Sequence, residues 1–174
     1  NILNYLLQLN HETSLNRKKE NERFLTESGI NFDDDNKRVA LKYIFVNSNA
    51  MLIYGAAGTG KTTLIKYISN MFADARKLYL TKTHTALQNV KRYLDNKSNN
   101  CDFEIIDSIT RSNLSVNYDI IFVDECSTID NRTMALLLGK ISREVLLVTS
   151  GDIYQIESID FGNWFFYAKE IVKT

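Results

Sequence analysis

Five short apolar runs, AMLIY (50–54), KLYL (77–80), FEII (103–106), YDIIFV (118–123) and EVLLVT (144–149), recur along most of the chain. Between them, KTTLIKYISNMF (61–72), HTALQNVKRYL (84–94) and NRTMALLLGK (131–140) carry apolar residues at helical spacing, while SNLSVN (112–117) reads as a loop. A short run bounded by turn residues and lacking polar alternation belongs to a strand buried on both faces. Strand, helix and strand in succession build parallel pairs, so the pattern predicts an α/β fold: a mainly parallel sheet flanked by helices.

The first 49 residues read differently. NILNYLLQL places Ile2, Leu3, Leu6, Leu7 and Leu9 at helical spacing, and the polar NRKKENE follows. Residues 1–28 therefore read as a helical appendage or linker and residues 29–174 as one globular domain. FDDDNKRVALKYIF opens with acids that suit a helix N-terminus and predicts a helix feeding the first strand. Lys plus Arg and Asp plus Glu balance at 21 each, so charge supplies no nucleic-acid footprint. Two cysteines exclude a disulfide framework, and no apolar run reaches membrane length, which together predict a cytoplasmic protein with no membrane partner. The first residue is Asn1 rather than Met, so the chain is read as a piece of something longer.

IYGAAGTGKTTL (53–64) carries Gly55, Gly60, Lys61 and Thr62 in the spacing G-x-x-x-x-G-K-[ST], after an apolar strand and before a helix. Glycine lets successive backbone N–H groups turn inward, and the helix adds the partial positive charge of its N-terminus, so the loop predicts a polyphosphate ligand. Gly55, Ala56, Ala57, Gly58, Thr59, Gly60, Lys61, Thr62 and Thr63 are its candidate contacts, with ATP and Mg2+ as the bound species. Lys61 is the candidate charge on the outer phosphates and Thr62 the candidate metal ligand.

YDIIFVDECS sets Asp124 and Glu125 at the carboxyl end of a strand, the edge at which open α/β sheets bind ligands. That placement puts both beside the phosphate loop. Asp124 suits the metal, through water, and Glu125 suits orientation and deprotonation of an attacking water. The reaction so predicted is hydrolysis of a nucleoside triphosphate.

GAAGTGKT, DECSTID and SGDIYQIESIDFG, in this order, resemble motifs I, II and III of superfamily 1 DNA helicases, especially the RecD-like branch that moves 5′ to 3′. The resemblance covers about residues 32 to 167 and implies a P-loop NTPase domain of RecA-like architecture. It implies that Gln155, after Gly151 and Asp152, senses the terminal phosphate. It also implies that LTKTHTALQNVKRYL, with Thr83 and Ala86, touches the backbone of single-stranded DNA, with Lys91 or Arg92 nearby. Asp107 and Ser108 of IIDSIT match a further, weaker strand-contact motif. By spacing, Asn36 takes the place of the family's adenine-reading glutamine. Where the family's third motif continues with prolines, this chain has Ile156, Glu157 and Ser158.

Such motors place ATP between two RecA-like domains, and 19 residues after Gln155 cannot supply the second. The expectation is a first motor domain that binds Mg2+ and ATP, hydrolyses weakly and does not unwind alone, with single-stranded DNA and a second domain as partners in the full-length protein. Trp164, Phe165 and Ala168 form the packing face of one more helix. His84, without a base partner, and Cys126 read as structural. Two alternatives remain open: a P-loop ATPase that remodels protein, with Thr149 or Ser150 as phosphate sensor, and a noncatalytic nucleotide-dependent interaction module.

Overall fold

The computed structural model describes residues 1–11, 49–94, 100–113, 115–152 and 163–171. Its strands are β1 (Ala50–Tyr54), β2 (Lys77–Thr81), β3 (Cys101–Ile105), β4 (Ile120–Val123) and β5 (Leu146–Gly151). All pair in parallel, in the order β1-β5-β4-β2-β3. The helices are α1 (Ile2–His11), α2 (Lys61–Met71), α3 (His84–Leu94), α4 (Ile106–Arg111), α5 (Asn131–Leu138) and α6 (Trp164–Ile171), with a 3-10 turn at Cys126–Thr128. The helix expected over FDDDNKRVALKYIF lies outside the described residues.

Strand alternation splits the core into two layers. Ala50, Leu52, Leu78, Leu80, Ile121, Val123 and Leu147 face one way, against α1, α5, α6 and Ile106 of α4. Met51, Ile53, Tyr79, Phe122 and Val148 face the other, against Leu64, Ile65 and Ile68 of α2 and Val90 and Leu94 of α3. Within that second layer the Tyr79 ring stacks between Phe103 and Phe122, with centroids 5.1 and 4.5 Å away.

The two layers follow from the strand order. The chain crosses the sheet one way from β1 to β2 to β3 and returns from β3 to β4 to β5. With right-handed crossovers, reversal of direction moves the connecting helices to the opposite face. Connections therefore diverge between β1 and β5, and the carboxyl edge there is the topological switch point at which such sheets bind ligands.

Three sequence expectations shift. FEII was read as strand through Ile106, but Ile106 starts α4, where Asp107 sits in the first turn and suits the helix N-terminus. Strand β5 runs on through Ser150 to Gly151, so the glycine of SGDIYQ belongs to the sheet. A Cβ on Gly151 would lie 2.7 Å from Phe165 Cε1, which makes this glycine a close-approach position for α6. Finally, α1 docks in the core: Ile2, Leu6 and Leu9 are buried with Trp164 and Phe165, and Asn49 N–H donates to Leu9 O at 2.8 Å. The remainder of 1–28 lies outside the described residues.

Candidate functional site

Strand β1 ends at Tyr54, and the chain needs six residues to turn into α2. Gly58 and Gly60 make that turn with φ of 81° and 85°, left-handed values that L side chains avoid. Gly55 is crowded for a different reason: a Cβ there would meet Thr59 Oγ1 at 2.7 Å, so that side chain would have to turn away from its present position. The Thr59 hydroxyl donates to Ala56 O at 2.9 Å and tightens the curl. Lys61 reaches back across it, its ammonium donating to Gly55 O at 2.6 Å and Ala56 O at 2.8 Å. No side chain caps the start of α2. Its first N–H groups and its dipole are thus left to attract an anion.

The acidic pair is held from several directions. The Asp124 N–H donates to Leu80 O at 2.9 Å, fixing the residue to β2 as β4 ends. Glu125 takes φ 56° and ψ 37°, a left-handed backbone that is uncommon for a glutamate. Asp124 Oδ1 accepts the Glu125 N–H at 2.9 Å, while Thr128 donates both its N–H (2.9 Å) and its hydroxyl (2.8 Å) to Glu125 O. The Lys82 ammonium donates to Thr128 O, tying the same turn to the end of β2. Backbone strain of this kind persists where the surroundings over-determine it, and such positions cluster at functional sites. Loss of hydration first, and the Asp124 charge second, raise the Glu125 carboxyl above the ordinary glutamate range. That shift moves a carboxylate toward the basicity a proton acceptor needs near neutral pH.

Both features open on one cleft of about 480 Å³. Gly58, Gly60, Lys61, Thr62 and Thr63 form one wall, Asp124 and Glu125 a second, and Ala86, Asn89, Val90 and Tyr93 of α3 a third. The acids stand beside the phosphate loop across this cleft, as the sequence reading has them, with β5 lying between β1 and β4 in the sheet. Two strand spacings separate those strands by roughly 10 Å, room for a phosphate and a hydrated cation. The Thr62 hydroxyl and Asp124 carboxylate are hard oxygen donors of the kind Mg2+ prefers, and they share that cleft. Among the described residues no cluster of three or more His, Cys, Asp or Glu could hold a metal alone. A Mg2+ here fits only as a shared ion, completed by phosphate and water, which is its usual mode in nucleotide sites.

Other predicted residues fall variously. Ala56, Ala57 and Thr59 are exposed on the loop. Ala86 lines the cleft, whereas the Thr83 hydroxyl accepts the Ala86 N–H at 3.2 Å and so closes the first turn of α3. Ser108 is exposed on α4, and Asp107 pairs with Arg111 at 3.8 Å across one helical turn. His84 is exposed. Cys126 is buried, its thiol donating to Val123 O at 3.2 Å, and burial pushes it well above the usual thiol value. The Thr149 hydroxyl donates to Met51 O at 3.1 Å and that of Ser150 to Asp124, so both alternative sensor residues are engaged inside the sheet. Trp164, Phe165 and Ala168 are buried as expected, with Trp164 Nε1 donating to Ile129 O at 2.8 Å. Asn36 and Gln155 lie outside the described residues.

Sequence reasoning missed Tyr93 and Asn89, and offered Ser150 only as an alternative phosphate sensor. The Tyr93 hydroxyl lies 2.8 Å from Thr63 Oγ1, and its ring carries the Lys66 ammonium 5.4 Å from the centroid, joining α3 to α2 at the cleft. Helical spacing places Ala86, Asn89, Val90 and Tyr93 on one stripe of α3, which was the available signal.

A family model described as an AAA domain matches residues 34–172. The chain is similar to the RecBCD enzyme subunit RecD of Buchnera aphidicola, with 23% identity over 94% of this chain and 31% of that protein. It is also 27% identical to an uncharacterized protein of Methanocaldococcus jannaschii, over 95% of this chain and 17% of that one. The chain spans less than a third of the length of either relative. Among solved structures, a PRRSV helicase superposes with a TM-score of 0.50 and 17% identity, over 71% of this chain and 28% of that chain, a likeness of fold. Among the described residues no helix is long and apolar enough to cross a membrane.

Proposed function

The chain belongs to the AAA domain family, with a helicase-like P-loop fold, and from that premise we propose that it is the first, ATP-binding motor domain of a DNA helicase. One observation carries the reading: the glycine turn, the uncapped start of α2 and the carboxylates of Asp124 and Glu125 converge on a single cleft at the switch point of a parallel sheet. The RecD relative and the motif resemblance support the choice of a nucleic-acid motor over other P-loop ATPases.

In this reading the backbone from Gly55 to Gly60 wraps the phosphate tail, and Lys61 exchanges its bonds to the Gly55 and Ala56 carbonyls for bonds to phosphate oxygens. Thr62 and Asp124, the latter through water, hold Mg2+, which when bound supplies charge neutralisation at the phosphates. Glu125 orients a water and takes its proton, and the left-handed turn fixes where that carboxylate starts from. Gln155 and Asn36 remain the proposed phosphate-sensing and base-reading residues. Thr83, Ala86 and Ser108 remain the proposed contacts to single-stranded DNA.

Residues 29–174 are proposed as the ATP-binding domain, with segment 1–28 docked to it through α1, and the partner RecA-like domain as a separate unit of the full-length, cytoplasmic protein. An arginine supplied by a second domain raises P-loop turnover by roughly a thousandfold or more, so this chain alone should bind nucleotide, hydrolyse it slowly and not unwind. The test is titration with a fluorescent ATP analogue, comparing wild type with Lys61→Ala. Weaker binding by the variant supports the assignment, and equal affinities remove it. Hydrolysis by the full-length protein that single-stranded DNA leaves unstimulated would remove the helicase reading while sparing nucleotide binding.

A further inference from the structure

Strand β5 separates the phosphate-loop strand from the acid strand, and its last residues stand level with both ends: Ser150 opposite Ile53, Thr149 opposite Val123. Ser150 has no exposed surface. Its hydroxyl donates to Asp124 Oδ1, the same oxygen that accepts the Glu125 N–H at 2.9 Å. Two donors therefore converge on one oxygen of the carboxylate, one from the neighbouring strand and one from the next peptide.

A strand-end aspartate otherwise rotates about two side-chain torsions, so either oxygen can turn toward a ligand. With Oδ1 doubly occupied, the carboxylate is oriented and Oδ2 is left without a donor among the described residues. We propose that Ser150 is a positioning residue for the divalent cation site. It acts through Asp124, selecting Oδ2 as the oxygen presented to the ion and its water shell. This inference rests on the Mg2+-nucleotide reading of the cleft. It adds a residue that the helicase resemblance did not supply, and it gives the Ser150 hydroxyl a role other than direct contact with phosphate.

The test uses the full chain and a fluorescent ATP analogue, titrated with Mg2+ and separately in EDTA, on wild type, Ser150→Ala, Ser150→Thr, Asp124→Asn and the Ser150→Ala/Asp124→Asn pair. The expected result is that Ser150→Ala needs about tenfold more Mg2+ for half-maximal binding, the scale of one lost hydrogen bond to a charged group. Affinity in EDTA stays at the wild-type level, Ser150→Thr restores the Mg2+ requirement, and Ser150→Ala adds nothing on the Asp124→Asn background. Melting without nucleotide reports folding, and if the alanine variant does not fold, Ser150→Cys, similar in size and a weak donor, carries the same expectation. An unchanged Mg2+ curve in the variant, beside a Mg2+-dependent wild type, overturns the inference alone. Equal weakening with and without Mg2+ also overturns it, since the hydroxyl would then touch the nucleotide itself. A wild type whose binding ignores Mg2+ overturns the reading of the cleft, and the inference with it.

Discussion

Glu125 offers a direct measure of the strain at the site. Its φ of 56° and ψ of 37° lie close to the left-handed helical minimum near +57° and +47°, so the penalty is that of the region as a whole, not of a further distortion. For an L residue that penalty is about 1–2 kcal/mol, and glycine escapes it. At an ordinary position glycine is instead worse than alanine by about 0.5–1 kcal/mol, through unfolded-chain entropy. The comparison to make is Glu125→Gly against Glu125→Ala: both delete the same carboxyl, so desolvation and the Asp124 charge cancel between them. The difference of the two terms favours the glycine variant by up to about 1.5 kcal/mol, with a central value of about 0.75 kcal/mol. In urea, with a slope of about 2 kcal/mol per molar, that is a midpoint about 0.4 M higher for glycine. Both variants should lose hydrolysis. An alanine variant as stable as the glycine variant, or more so, would refute the claim that this turn is held against its backbone preference.

Three further outcomes follow from other contacts. Asp130 caps α5, its Oδ1 accepting the Thr133 N–H at 2.8 Å and its Oδ2 the Thr133 hydroxyl at 2.7 Å. Asp130→Ala should cost about 1 kcal/mol in denaturation. Burial pushes this carboxyl up, but hydrogen bonds from Thr133 and from the Arg132 N–H outweigh it and lower the pKa, so the stabilisation is present at neutral pH and fades as pH falls through the folded value. The gap between wild type and Asp130→Ala should therefore narrow in acid. Glu125→Gln should show the opposite sign: the raised carboxyl weakens the fold once ionised, so the variant gains on wild type as pH rises past the folded value and loses that advantage below about pH 4. Gly151→Ala, with its Cβ 2.7 Å from Phe165 Cε1 and 3.1 Å from Ser127 N, should cost about 1–3 kcal/mol, and Phe165→Leu in the same chain should recover part of that in chemical denaturation.

Much of the architecture could be read from residue order because its causes are local. Leu78, Tyr79 and Leu80 sit in a run without polar alternation, as a doubly covered strand requires, and HTALQNVKRYL repeats its apolar residues at the helical period and is helical over that length. The glycine turn was legible for the same reason, since left-handed φ at Gly58 and Gly60 restricts residue type. Strand order was not, because side-chain period says which faces are buried and nothing about which strand is the neighbour. The interposition of β5, and with it the Ser150 contact to Asp124, therefore came only from tertiary structure. The left-handed Glu125 was hidden because the favoured residue, glycine, is absent there. At the third strand, on the sheet edge, exposed Asp102 and Glu104 alternate with half-buried Cys101, Phe103 and Ile105, but Ile106, apolar like Ile105, extends the run past the strand end into α4.

Because β5 occupies the place between the glycine turn and the acids, the distance across the site is set in whole strand widths by main-chain hydrogen bonding. Point substitutions can change which groups reach into that span, but they cannot stretch or shrink the span itself. Under the proposed cation-binding role, selectivity for a larger or smaller ion would be adjusted by side-chain length at Thr62 and Asp124, on a frame whose dimensions stay constant.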